Sequence, residues 1–178
     1  IMADGILKVG TITNSAGSGN ITIGSGVTVN VNRPSFFISL SSDQSVSDAV
    51  VTKCNIDTAT VDTNSGFDSS NKRWSVPSGA AGLYCLHAAV TCVADASTNK
   101  INFCYIYKNG SSLQLSSSDN RSNNGTSNTQ AGSIITELAA SDYLELFGYV
   151  NGDSPRFEAD GFGTNKPVTY LSGFKIGA

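Results

Sequence analysis

The sequence predicts an all-β fold, a β-sandwich of about ten short strands, and three observations carry that prediction. Turn-forming Gly, Ser, Thr and Asn abound while charged residues and strong helix formers are scarce, a balance that favours short strands joined by turns. Apolar residues recur at period two in stretch after stretch, and no period of three to four persists beyond two turns. The length, 178 residues, is enough for one ordinary domain with its own core and a short appendage.

The elements follow in order. Residues 1–33 form a distinct β-rich segment: Leu7, Val9 and Thr11 alternate, Ile21-Thr22-Ile23 follows a Gly/Ser/Asn turn, and Val27, Val29 and Val31 repeat at period two. So short a segment cannot build a core alone, so it is expected to attach the rest of the chain to something larger. Pro34 marks the joint, and residues 34–178 are expected to form the head. Residues 36–40 and 50–56 read as strands, and residues 57–71 as mostly loop with Phe67 turned inward. Residues 82–93 form a long strand with Tyr84, Leu86, Ala88 and Val90 on one face and Leu83, Cys85, His87 and Ala89 on the other. Both faces are apolar, which points to the core on one side and a neighbouring chain on the other. Residues 101–108 pair through Asn109-Gly110, a dipeptide suited to positive φ, with a returning strand bearing Leu113 and Leu115. Residues 116–130 are too polar for a core and are expected as loop. Residues 134–138, 143–150, 156–159 and 168–176 complete the strands.

Several functions are disfavoured by composition. A net charge of −3 without any Lys/Arg cluster argues against nucleic acid, and no apolar run reaches membrane-spanning length. Met2 is the sole methionine, and the residues after it carry no signal-peptide pattern, so the expected setting is synthesis in a cytoplasm. Cys54, Cys85, Cys92 and Cys104 sit in apolar stretches without zinc-type spacing and are expected as buried thiols. His87, the sole histidine, lies mid-strand, unlike a catalytic base in a cleft. Asp142, Glu145, Asp153 and Asp160 offer oxygen ligands but no contiguous calcium loop. No catalytic, metal or cofactor site is expected. The Asn-x-Ser/Thr triplets at Asn20, Asn109, Asn120 and Asn124 fall within chance for this composition.

One ordered set of motifs goes further. Phe67, Trp74, Pro77, Gly79, then Gly82-Leu83-Tyr84-Cys85-Leu86, Tyr107-Lys108-Asn109-Gly110, Ser141-Asp142 and Ser172-Gly173-Phe174 resemble the globular head of the complement/TNF superfamily from Pro34 to the C-terminus. Trp74 and Leu86 depart from the usual Phe of that pattern, and no collagen-like stalk precedes it. The resemblance implies a jelly-roll sandwich that works as a non-enzymatic homotrimer. Separately, Leu7 to Ile12 and Ile21 to Ile23 resemble the openings of structural proteins of marine tailed phages.

Together these readings give an expected function: a phage virion protein, with a trimeric fibre or tip head for host-surface attachment. Its partners would be its own copies, other virion proteins through residues 1–33, and a host glycan or protein. Tyr105, Tyr143, Phe147 and Tyr149 exceed the needs of one core and are the expected trimer interface. Asp119, Asn120, Arg121, Asn123, Asn124, Asp153 and Arg156, on polar loops, are the expected receptor contacts. The alternatives are a capsid decoration or fibre cap that stabilises the particle, and a secreted binding module.

Overall fold

The computed structural model describes residues 33–122, 125–161 and 166–177, together with Ser25. The chain divides into two compact units, Ile1–Asn32 and Arg33–Ala178. The attachment role expected of residues 1–33 therefore falls almost wholly outside the described residues.

The described residues of the second unit form antiparallel strands and one short 3-10 turn. In order they are β1 (Ser35–Ser39), β2 (Gln44–Ser45), β3 (Thr52–Lys53), β4 (Thr58–Asp62), β5 (Phe67–Asp68) and β6 (Arg73–Ser75). The long β7 (Gly82–Val93) leads through a 3-10 turn (Asp95–Ser97) to β8 (Ile101–Lys108) and β9 (Ser111–Asp119). Then come β10 (Ser127–Leu138), β11 (Tyr143–Asn151), β12 (Arg156–Glu158) and β13 (Tyr170–Lys175).

Two sheets pack face to face as a jelly-roll sandwich. In the front sheet β10 runs along one whole edge of β7, while β12 and β13 share the other edge end to end. β13 continues to β1 and β4, and β12 to β2. In the back sheet β11 lies between β8 and a split edge of β6 and β3, with β9 beyond β8 and β5 beyond β6. Period-two alternation fills the space between them. Tyr84, Leu86, Ala88, Val90 and Cys92 from β7 meet Leu144, Leu146 and Val150 from β11, all buried. Phe36 stacks on Trp74 with centroids 4.2 Å apart, and Trp74 meets Tyr84 edge-on at 5.8 Å. Trp74 stands in the core and not at a binding surface. A Cβ on Gly66 would lie 2.5 Å from the Trp74 indole nitrogen, so only glycine lets the backbone cross that ring.

The Asn109-Gly110 turn forms as expected, with φ of 52° and 79°. Elsewhere the expected strands need correction. Residues 57–71, expected as mostly loop, also hold two strands, β4 and β5. β4 is an exposed edge strand held to β1 by its backbone, so its sequence shows no apolar alternation. Of residues 50–56 only Thr52–Lys53 is strand, and Val50 and Val51 are exposed. Residues 116–130 are mostly the ends of β9 and β10, which run to Asp119 and from Ser127. There Gln130 is buried, donating to Ser118 Oγ at 2.9 Å, and Asn102 is fully buried behind it. Polar residues can enter a core when they bond one another, which is why polarity alone misread this stretch.

Candidate recognition surface

One end of the sandwich gathers three loops and fastens them together. Residues 94–100 join β7 to β8, residues 120–126 join β9 to β10, and residues 152–155 join β11 to β12. The Ala94 N–H donates to Thr126 O at 2.8 Å, and the Asn99 N–H to Gly125 O at 3.1 Å. The Lys100 N–H donates to Asn151 O at 2.9 Å, and the Asp95 N–H to Asp153 O at 2.9 Å. Thr98 Oγ1 accepts the Asp153 N–H at 2.7 Å. Gly152 makes the crossing possible, since a Cβ there would sit 2.6 Å from that of Ala94. The left-handed φ values of Ala96 and Ser97 mark the tight turn that presents this edge to solvent.

The expected receptor contacts can be placed on this frame. Asp119 and Arg121 form a forked pair, with Arg121 Nε 2.9 Å from both carboxylate oxygens and Nη2 on Oδ2. Both side chains are well exposed, so the pair orders the loop locally more than it stabilises the fold. Hydrogen bonds from the Arg121 guanidinium hold the Asp119 carboxyl below its ordinary range. Asn120 is half-buried and donates its N–H to Lys100 O. Asp153 is exposed on the neighbouring loop. Arg156 faces inward along the surface, with Nη1 3.2 Å from Asp95 Oδ1 and Nε 3.5 Å from Asp43 Oδ2. It clamps loops together, and its guanidinium is already engaged. Asn123 and Asn124 lie outside the described residues.

The sequence reading missed the residues that make this surface one unit. Asp43 also accepts the Ala159 N–H at 2.9 Å. Asp48 accepts from the Asn151 amide and the Gly152 N–H, both at 2.9 Å. Asp95 accepts from Arg156 at the start of β12, and Thr98 from the Asp153 N–H of the β11–β12 loop. Each is a lone polar residue in a turn, and no local spacing distinguishes it from solvated neighbours.

Tyr105, Tyr143, Phe147 and Tyr149 come together on the outer face of the back sheet. Tyr149 stacks on Phe103 at 4.9 Å, Phe147 on Tyr107 at 4.2 Å, and Tyr105 meets both Phe103 and Tyr107 edge-on. Arg73 lies 4.7 Å over the Tyr143 ring, and the Lys53–Glu145 ion pair crosses the same face. These rings cover one another, so they leave little bare apolar surface.

The bare surface is on the other side of the sandwich. On the outer face of the front sheet, Phe174, Cys85 and Ile135 lie side by side in register. Phe174 is 51% and Ile135 60% exposed. The next row holds Val61, Phe37, Ser172, His87 and Ser133. His87 stacks on Tyr170 at 5.5 Å, and Tyr170 on Phe37 at 4.9 Å. Among the described residues no hydrogen bond joins the imidazole to a carboxylate or a serine hydroxyl, so the geometry offers no catalytic triad. The expected thiols of Cys54, Cys92 and Cys104 are buried and free, while Cys85 is half-buried on this outer face.

No family model and no curated protein matches the chain. Solved structures do resemble it. The globular domain of zebrafish complement 1qA protein superposes with a TM-score of 0.55 at 11% identity, covering 80% of this chain and 97% of that one. Murine APRIL gives 0.54 at 13% identity, covering 82% and 100%. The Eiger TNF of S. frugiperda gives 0.54 at 12% identity, covering 81% and 91%. At these identities the likeness is one of fold: the head is a jelly roll of the complement/TNF type.

Proposed function

We propose that this chain is a non-enzymatic binding head that works as a homotrimer, displayed on a phage particle through residues 1–33 and attaching to a host surface through its loop end. The observation that carries the assembly is the outer face of the front sheet, where Phe174 and Ile135 are more than half exposed in a row that contains no charged residue. Exposed apolar surface of this kind is costly in water and is ordinarily covered by a partner. A second copy of the same chain is the partner that the family resemblance implies. The proposed contact is therefore the front sheet, opposite the aromatic ladder of Tyr105, Phe147 and Tyr149.

The attachment reading draws on the loop end, where exposed Asp95, Lys100, Arg121 and Asp153 stand on a rigid frame. Loops on a fixed scaffold are where β-sandwiches carry recognition, and three copies on one axis multiply weak single contacts. The phage setting draws on the likeness of Leu7 to Ile12 and Ile21 to Ile23. One observation favours the particle-stabilising cap instead: Arg121 and Arg156 are already paired within the chain.

Binding of the labelled chain to intact marine bacterial cells tests the choice. Loss of binding in the Asn120→Ala/Arg121→Ala/Asn124→Ala variant, at unchanged assembly mass, supports attachment. Absence of binding, or binding unaffected by those changes, leaves the head a cap.

A further inference from the structure

A cavity of about 410 Å³ opens where the end of β1 meets the edge strand β4, lined among others by Phe37, Ser39, Thr58, Thr60, Asp160 and Pro167. Its size lies within the usual range of small-ligand sites. We propose that this cavity is a binding site for a neutral saccharide unit, stacked on Phe37 and held by Asp160 and the hydroxyls around it.

Each wall has a structural cause. The β1–β4 register slips between Phe37 and Ile38, so that Phe37 faces Val61 and Ile38 faces Ala59, leaving Thr60 between them. Such a bulge re-aims the side chain it carries, and Thr60 contributes to the lining. Phe37 is braced from behind by its stack on Tyr170, itself stacked on His87. Asp160 sits on fixed backbone, since it bridges to Pro167 while the Gly161 N–H donates to Lys166 O at 2.9 Å. Its carboxylate makes no hydrogen bond or ion pair with another described residue.

The ligand class follows from that chemistry. An aromatic ring offers a face for the C–H side of a sugar ring, and a carboxylate accepts two adjacent hydroxyls. Ser and Thr hydroxyls both donate and accept, as a polyol requires. An anion would face the Asp160 charge with no lysine or arginine among the described lining residues to offset it. An apolar ligand would strip water from the carboxylate without replacing its hydrogen bonds. The site shares no residue with the loop-end surface, so it is independent of the attachment reading. Phe37 lies one row from Phe174 and Ile135, so the site requires a contact centred on those two residues that leaves the β4 edge open.

The test is saturation-transfer NMR on the full chain in its assembled state, with the methyl glycosides of glucose, galactose and mannose as probes. Transfer to the ring protons of at least one glycoside is expected. Asp160→Asn and Phe37→Leu should each weaken it by about tenfold, with near-ultraviolet circular dichroism and assembly mass unchanged. The proposal is overturned by absence of transfer from all three. It is also overturned if transfer is equal in the variants, or if butylammonium displaces the glycoside, which would mark a simple cation contact.

Discussion

Asn109 and Asp142 lock two turns onto each other. The Asn109 amide donates to Asp142 Oδ1 at 2.7 Å, and the Asn109 side-chain oxygen accepts the Tyr143 N–H at 2.9 Å. Asp142 Oδ2 also accepts the Ala139 N–H at 2.8 Å and meets Lys108 Nζ at 2.9 Å. The β8–β9 hairpin and the entry to β11 are thereby fixed at one end of the back sheet. Asn109→Ala removes both bonds and leaves a polar turn unpaired, at a cost of about 1–3 kcal/mol. Urea unfolding at neutral pH measures this, and an unchanged midpoint would mean the lock is incidental.

The same carboxylate gives a pH dependence. Burial pushes the Asp142 carboxyl up, but hydrogen bonds from Lys108, Asn109 and the Ala139 N–H outweigh that and hold it below its ordinary value of 3.8. A carboxyl lowered by folding contributes stability that is fully present above its unfolded value and is lost as pH falls through the folded one. Stability should therefore decline below about pH 5, and more gently in Asp142→Asn. Thermal unfolding between neutral pH and pH 3 distinguishes the two; parallel curves would remove Asp142 from the explanation.

Gly148 admits Phe157 to the core. A Cβ at Gly148 would lie 2.6 Å from Phe157 Cζ and 2.9 Å from Val90 Cγ1. Gly148→Ala overpacks the centre of the sandwich and is expected to cost about 1–3 kcal/mol. Restoration by Gly148→Ala/Phe157→Leu, read in denaturant midpoints, would confirm that the ring is the obstacle. Destabilisation that persists in the double variant would place the strain in the backbone.

The thiols report on burial. Desolvation pushes Cys104 up to about 12, and burial with neighbouring thiols raises Cys54 and Cys92 as well. Because the thiolate is the reactive form, maleimide should leave these three untouched until the chain unfolds. Mass spectrometry of the labelled native chain would show at most one adduct, at Cys85. Labelling of Cys54 in the native state would contradict the described core.

Arg156 ties loops at the candidate surface. Its side chain is one-third exposed and contacts both Asp43 and Asp95. Arg156→Ala should cost no more than about 1 kcal/mol globally yet speed amide exchange in residues 94–100 and 152–155. Uniform exchange across the head would show that the backbone bonds alone set the loops.

Much of this was legible in the sequence, for definite reasons. β7 and β8 were delimited correctly because their alternation is long and their ends are turn residues. The split of β7 into Tyr84, Leu86, Ala88 and Val90 against Cys85 and His87 was read correctly from period two. The short strands β2, β3 and β5 hold two residues each, too few for any period to register. Gln130 was hidden because a buried amide whose partners, Ser118 and Asn128, are also polar looks like loop when each residue is read alone. At the candidate surface, Asp119 and Arg121 stood out by local charge. Asp48, Asp95 and Thr98 act through partners distant in sequence, and the pairing exists only once the sheets are formed. The aromatic excess of Tyr105, Phe147 and Tyr149 was visible, but not that these rings shield one another while Phe174 and Ile135 stay bare.

The most direct measurement is the mass of the assembled chain in solution, by sedimentation or light scattering at micromolar concentration, beside an Ile135→Glu/Phe174→Glu variant. Three chains per particle are expected for the natural sequence. A folded monomer with the same β-sheet circular dichroism is expected for the variant, because two charges per chain cannot be buried at that contact. A monomeric natural chain, or a trimer that survives both substitutions, would contradict assembly through the front sheet.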